Sequence, residues 1–375
     1  MLGQSARRPA VTLRASSHIA FPRVAVFTDI LVEALAAHDM QVRPDENGFV
    51  ATSPFGTAWM VPGDGSLDLR VEAETAVGLN RVRHSLTGLI TFNARSETLS
   101  IEWQGDVVGP TLPPDLRVLT VANVRDVTPR MRRVSFTGED LWRFAPLDQL
   151  HARLLFSPKD AGDPEWPRLD DDGGILWPGG RQTIGSRVYT IRTVDPVAGT
   201  MAIDFVLHPH GGGPGIEWVR SARVGDIVGI LGPAAHGLRP ASHYLLAGDE
   251  TGLPGIARIL EALPPHVGGV AMIEVEDAQE EQTLAAPGGV ELRWLHRNGR
   301  SPGTTSLLDE AVRATPGMPP DTFVWAGCEF QAFRAIRSYL REIGLPRAQQ
   351  VCFPHWRAGM SEEDIVEVGA QAVAE

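Results

Sequence analysis

The stretch Gly185–Asp195, GSRVYTIRTVD, alternates side chains as a β-strand does, yet it holds Arg187, Tyr189, Thr190 and Arg192 within six residues. Successive strand side chains point to opposite sides, so Arg187 and Tyr189 share a face. A guanidinium there can clamp a diphosphate through two parallel hydrogen bonds. A phenol ring can pack on a flat heterocycle, and the Thr190 hydroxyl can bond its edge. The same four residues also describe an ordinary polar strand on a barrel surface, and the two readings are level until the context is added. That context is IDFVLHPHGGGPGIEWV, where a strand ends at His208 and runs into Gly211-Gly212-Gly213-Pro214 at a helix start. Backbone N–H groups in such a turn attract anions. One strand after Arg-Tyr-Thr, the turn reads as a phosphate cradle. His208 and His210 have no third ligand at a convincing spacing, so no protein-bound metal is expected.

The elements that must position these residues divide the chain into parts. Residues 1–108 read as a small α+β domain, with helical spacing in FTDILVEALAAHDM and AVGLNRVRHSLTGLITFN around three short strands, and ETLSIEWQ as a last strand. Gln104 to Asp115 is rich in Gly, Pro and Asp and reads as a linker. Residues 116–238 carry six strand patterns separated by turn signals, which predicts a small antiparallel β-barrel. A long acidic, Pro-rich loop, KDAGDPEWPRLDDDGGILWPGGRQ, precedes the Arg-Tyr-Thr strand and is long enough to be functional or mobile. Residues 242–359 alternate apolar strands with helices, which predicts a doubly wound parallel sheet, and residues 360–375 form a C-terminal tail. The helix SLLDEAVRA is expected to start at a capping box of Ser306 and Asp309.

Ligands bind such sheets at the carboxyl ends of their strands. This places Asp249, Glu250 and Thr251 after one strand, and Cys328 and Glu329 after another, toward a ligand. A barrel followed by a nucleotide-type sheet can hold a flavin in the first and a nicotinamide dinucleotide in the second. Arg293, Arg297 and Arg300 follow a further strand, where an arginine accommodates a 2′-phosphate. Arg297 is taken as that contact, which favours NADPH over NADH; a solvated basic loop competes with this reading. Cys328 also fits a small buried residue.

The 375 residues carry a formal net charge of −12, which disfavours nucleic acid as a general partner. Lys159 is the sole lysine, so Schiff-base and P-loop chemistry are poor fits, and the positive charge is nearly all arginine. The two cysteines form no CxxC pair or disulfide framework. No apolar run reaches membrane-span length and no signal-peptide pattern stands at the N-terminus, so a cytoplasmic protein without membrane or nucleic-acid partners is expected.

With these motifs in view, RVYTIR, DFVLH..GG.P...W, AGDETGLPGIARILEALP, WLHR and VWAGCEFQAFRAIRSYLR, the chain from Arg117 to Gly359 resembles the siderophore-interacting proteins. These are FAD-dependent ferric-siderophore reductases of the ferredoxin-reductase superfamily. The first hundred or so residues, with PFGTAWM, resemble a small uncharacterised domain sometimes fused to that family. The resemblance implies bound FAD, NADPH or NADH as electron donor and a ferric siderophore as substrate. It implies hydride transfer to the flavin N5, followed by single electrons to Fe(III). By resemblance, Arg187, Tyr189 and Thr190 contact FAD, and His208 with Gly212-Gly213-Pro214 follows its ribityl and phosphate groups. Asp249, Glu250 and Thr251 lie by the dinucleotide cleft, and Trp325 to Glu329 lies nearest the nicotinamide. The chain departs from the family in one extra residue between His208 and Pro214, in Cys328-Glu329, and in His355 where a tyrosine is usual. Two other readings stay open at this level: a reductase serving a small redox protein, and a non-catalytic siderophore- or flavin-binding module.

Overall fold

The computed structural model describes residues 12–37, 40–158, 163–179, 184–207, 213–234, 237–315, 317–361 and 364. The chain forms two compact units: Met1–Pro114 with Glu165–Thr183, and Asp115–Pro164 with Ile184–Glu375. The first unit therefore contains part of the acidic loop that the sequence reading places inside the barrel domain, residues 116–238.

In the N-terminal unit the chain runs β1 (Leu13–Ala20), α1 (Val24–Ala37), β2 (Gln41–Asp45), β3 (Gly48–Ser53), β4 (Gly56–Pro62), β5 (Ser66–Ala73), α2 (Ala76–Asn93) and β6 (Gln104–Gly105). They make a sheet in the order β2-β3-β4-β5-β1-β6. Leu67, Leu69, Val71 and Ala73 alternate inward along β5. They pack with Leu79, Val82 and Leu86 from α2, so the two periodicities share one core. Thr75 caps α2 by accepting from the Gly78 N–H at 3.0 Å. The strand expected over ETLSIEWQ forms only at its end, as β6. Leu99, Ile101 and Trp103 lie on the core instead of pairing.

In the second unit all six expected barrel strands form: β7 (Leu116–Thr128), β8 (Met131–Gly138), β9 (His151–Phe156), β12 (Gly185–Asp195), β13 (Thr200–Val206) and β14 (Ile227–Ala234). Between β9 and β12, the short hairpin β10 (Arg168–Leu169) and β11 (Ile175–Leu176) belongs to the N-terminal unit. The barrel closes in the order β12-β13-β8-β7-β14-β9, every pair antiparallel, which removes unpaired sheet edges. Helix α3 (Gly213–Arg220) buries Ile216, Trp218 and Val219 against the barrel core.

The chain continues through β15 (His243–Gly248), α4 (Leu253–Ala262), β16 (Gly268–Val275), β17 (Gly289–His296), α5 (Leu307–Arg313), β18 (Thr322–Glu329), α6 (Phe330–Glu342) and β19 (Gln350–Trp356). The parallel sheet has the order β17-β16-β15-β18-β19. β18 is buried along its whole length, as expected for a strand covered on both faces. The order reverses between β15 and β18, which opens a crevice at their carboxyl ends. The Ser306 capping box does not form: the Ser306 hydroxyl donates to the Glu310 carboxylate and makes no capping bond.

Within this unit α4 joins sheet to barrel. The buried Arg258 guanidinium donates to the carbonyls of Phe144, Ala145 and Pro146 at 2.7, 3.1 and 3.2 Å, and to that of Ile191 at 3.3 Å. Burial pushes its pKa down to about 10. Beside it, Arg192 on β12 grips Glu261 with two bonds of 2.8 and 2.6 Å. No helix among the described residues is long and apolar enough to cross a membrane.

Candidate cofactor and nucleotide site

The first turn of α3 lies against the start of β12. A Cβ placed on Gly185 would lie 2.5 Å from Pro214 Cβ. One on Gly213 would lie 2.8 Å from Arg187 Nη2, and one on Gly215 would lie 2.1 Å from the Tyr189 hydroxyl. Gly213 also has φ +66, a conformation that favours glycine. Positions 185, 187 and 189, one face of the strand, thus meet three consecutive residues of the turn. The Tyr189 ring packs on Phe205 at 4.5 Å between centroids. The expected cluster of Arg187, Tyr189, Gly213 and Pro214 is brought together. His208 and Gly212 lie outside the described residues.

Thr190 is buried and faces the sheet. Its methyl group lies 3.4 Å from where a Cβ on Gly255 of α4 would sit, and the Trp325 ring lies 2.8 Å from the same point. Gly255 lets the barrel strand and Trp325 of β18 converge. His151, which pairs with Thr190 across β9 and β12, stands 5.0 Å from Phe353 and 5.3 Å from His355 between ring centroids. His151 and Phe353 were not read as site residues. Each looks like an ordinary strand position, and only the strand register and the meeting of β9 with β19 unite them.

Asp249 organises the crevice. One carboxylate oxygen accepts from Thr251 N–H at 2.9 Å and Thr251 Oγ1 at 2.5 Å. The other accepts from Glu329 N–H at 2.9 Å and Trp356 Nε1 at 2.8 Å. His355 Nδ1 lies 3.0 Å from Thr251 Oγ1, so His355 joins this network. Glu329 caps α6 by accepting from Gln331 N–H and holds the turn after β19 by accepting from Ala358 N–H at 3.1 Å.

Arg297 does not reach an open 2′-phosphate position. Its guanidinium is 1% exposed and donates to both oxygens of Glu250, with Glu274 and Glu276 each at 3.5 Å. Burial opposes its charge, but these carboxylates outweigh burial and raise its pKa. Burial raises Glu250 and Glu274 in turn. Glu250 is therefore engaged inside the fold as well. Arg293 pairs with Glu291, and Arg300 remains exposed after β17.

Cys328 is buried beside Asp249 and Glu329 on a cavity of about 10 Å³, room for about one water. Burial pushes its thiol well up, and pushes Cys352 up to about 12. Both thiols are expected to stay unmodified by an aromatic disulfide reagent at pH 8 until the protein is denatured. Rapid labelling of Cys328 in the native state would contradict this environment.

The site thus joins a closed antiparallel barrel that carries a glycine turn to a doubly wound sheet that carries a switch-point crevice, a two-domain architecture suited to a bound nucleotide. Family models match along the chain: the siderophore-interacting FAD-binding domain at residues 120–237, siderophore-interacting protein at 241–359, and an uncharacterized protein family conserved in bacteria at 16–104. The chain belongs to the siderophore-interacting proteins. It is 35% identical over 263 residues to an uncharacterized protein of Mycobacterium bovis, covering 66% of this chain and 92% of that one. It is 29% identical over 253 residues to the ferric vibriobactin reductase of Vibrio cholerae, covering 66% and 91%. A siderophore utilization protein from T. fusca superposes with a TM-score of 0.60 at 40% identity, over 69% of this chain and 97% of that structure.

Proposed function

We propose that the chain is an FAD-dependent ferric-siderophore reductase that draws electrons from NADPH or NADH. The observation that carries this reading is the fit between β12 and the α3 turn. Glycines at 213 and 215 leave room for the Arg187 guanidinium and the Tyr189 phenol beside a helix N-terminus, the combination an FAD diphosphate requires. The relative named for ferric vibriobactin reduction supports the same chemistry. When bound, FAD supplies the conversion of a two-electron hydride into single electrons.

In this reading Arg187 and the Gly213-Pro214 turn hold the diphosphate, and Tyr189 and Thr190 fix the ring. Asp249 holds Thr251, the Glu329 backbone and Trp356 in one arrangement at the crevice. Glu250 and Arg297 stiffen that end of the sheet from within, and Cys328 fills the space behind it. Arg300 is the exposed cation left to meet a 2′-phosphate. On the substrate side, hard oxygen donors hold Fe(III) far more tightly than Fe(II), so one-electron reduction loosens the iron. The reading places the reaction inside the cell without nucleic-acid or membrane partners.

The test is an anaerobic absorption spectrum recorded before and after NADPH or NADH, and again after a ferric siderophore with a ferrous trap. Flavin bands that bleach with nucleotide and return as trapped Fe(II) accumulates are expected. Bands that bleach but do not return with ferric chelates would assign the electrons to a protein acceptor. Protein that takes up no FAD would overturn the reading.

A further inference from the structure

His355 has chemistry that the flavin reading leaves unused. Strands β18 and β19 keep register as far as Cys328 with Pro354, and then Glu329 pairs with Trp356, so His355 is an extra residue in the ladder. Neighbouring strand side chains ordinarily point to opposite faces. The slip in register turns two neighbours to the same carboxylate. Trp356 Nε1 donates to Asp249 at 2.8 Å, and His355 Nδ1 lies 3.0 Å from Thr251 Oγ1, which is itself bonded to Asp249 at 2.5 Å. These bonds fix where the hydrogens lie. An ionised carboxylate only accepts, so Thr251 gives its single hydroxyl hydrogen to Asp249. Thr251 then accepts from His355, which puts the ring hydrogen on Nδ1 and the basic lone pair of the neutral ring on Nε2.

The imidazole lies where barrel and sheet meet. Its centroid is 5.3 Å from His151 of β9, 4.8 Å from Phe353 and 6.2 Å from Trp325. A Cβ on Gly327 would lie 2.6 Å from His355 Nε2 and 2.9 Å from the Trp325 ring, so a side chain at 327 would displace the imidazole. The same Trp325 ring borders Gly255, which the Thr190 methyl group approaches from the barrel. Trp325 therefore borders both His355 and the residue read at the flavin edge. A hydride is one proton and two electrons. When the two electrons pass singly to two ferric centres, the proton is left on N5 and must leave. We infer that His355 Nε2 takes it: the N5–H bond breaks, an Nε2–H bond forms, and the resulting cation is held by Asp249 through Nδ1–H and the Thr251 hydroxyl. Thr251 and Asp249 are positioning residues in this relay. The proton role rests on the flavin reading above; the placement of hydrogens along Asp249, Thr251 and His355 does not.

Nitrogen-15 imidazole spectra of the full-length protein read the tautomer, with His355→Gln identifying the signal among the 11 histidines. An Nδ1–H ring that loses this preference in Thr251→Val is expected. An Nε2–H ring in the parent overturns the relay and the proton role with it. Stopped-flow absorption then follows flavin bleaching by NADPH or NADH and its recovery with ferric citrate. In His355→Gln the ratio of recovery rate to bleaching rate is expected to fall about 100-fold, and in Thr251→Val about tenfold. In His355→Ala, added imidazole is expected to restore recovery in a saturable way, which a merely structural role would not produce. A parental ratio in His355→Gln overturns the proton role, and so does equal slowing of both steps. A parent that takes up no FAD overturns the proton role together with the flavin reading, while the tautomer still decides the relay. The isosteric Thr251→Val carries the test if His355→Gln does not fold.

Discussion

An Arg187→Ala variant is expected to leave purification mostly without FAD and to rebind it about 30- to 150-fold more weakly than the parent, as befits a lost charge-assisted bond worth roughly 2–3 kcal/mol. Arg187 lies on the face of β12 that the α3 turn covers, with its guanidinium beside the glycine at 213. A methyl side chain removes both the charge and the planar fork. Arg187→Lys should fall between, since it keeps the charge and loses the bidentate geometry. Titration of apoprotein with FAD, followed by flavin fluorescence, gives the affinities. Full occupancy of the alanine variant at parental affinity would remove Arg187 from the cofactor site.

The second large effect is expected at Asp249. Its carboxylate accepts from Glu329 N–H, Trp356 Nε1 and both donors of Thr251. Asp249→Ala leaves several of these without an acceptor inside the fold. At about 1–3 kcal/mol for each orphaned buried donor, the loss is roughly 3–5 kcal/mol. That corresponds to a fall of about 10 °C in melting temperature. The crevice should lose its shape with it, so nucleotide-driven bleaching of the flavin should slow even where FAD stays bound. A variant with parental melting temperature and parental bleaching rate would show that Asp249 organises nothing.

The parts that were legible in the sequence are those with local causes. The barrel strands alternate, the buried parallel strands are continuous apolar runs, and the residues of GSRVYTIRTVD fall on the faces that strand geometry assigns. β1 was not read, because its buried face is Ala15, Ser17 and Ile19, too weakly apolar to signal alternation. Arg297 was misplaced because its partner, Glu250, lies 47 residues away and no periodicity announces it. The same holds for Arg83 and Asp171, 88 residues apart, whose pairing turns an apparently free acidic loop into part of the N-terminal unit. Ser306 fitted a capping pattern, but Glu310 one turn on captured its hydroxyl.

Arg258 and Arg192 have a consequence for where the protein can be divided. The two siderophore-interacting family models part between residues 237 and 241, as if barrel and sheet were separable modules. Yet the carbonyls of Phe144, Ala145, Pro146 and Ile191 on the barrel side share a donor, Arg258, on α4, which lies beyond that boundary. The carboxylate that answers Arg192 of β12 is there too. A gene cut at that point would separate a buried cation from its acceptors and strip the barrel of a face it cannot solvate cheaply. The line at which the two family models divide is therefore not expected to be a line at which the chain melts, and barrel and sheet should unfold in one cooperative transition.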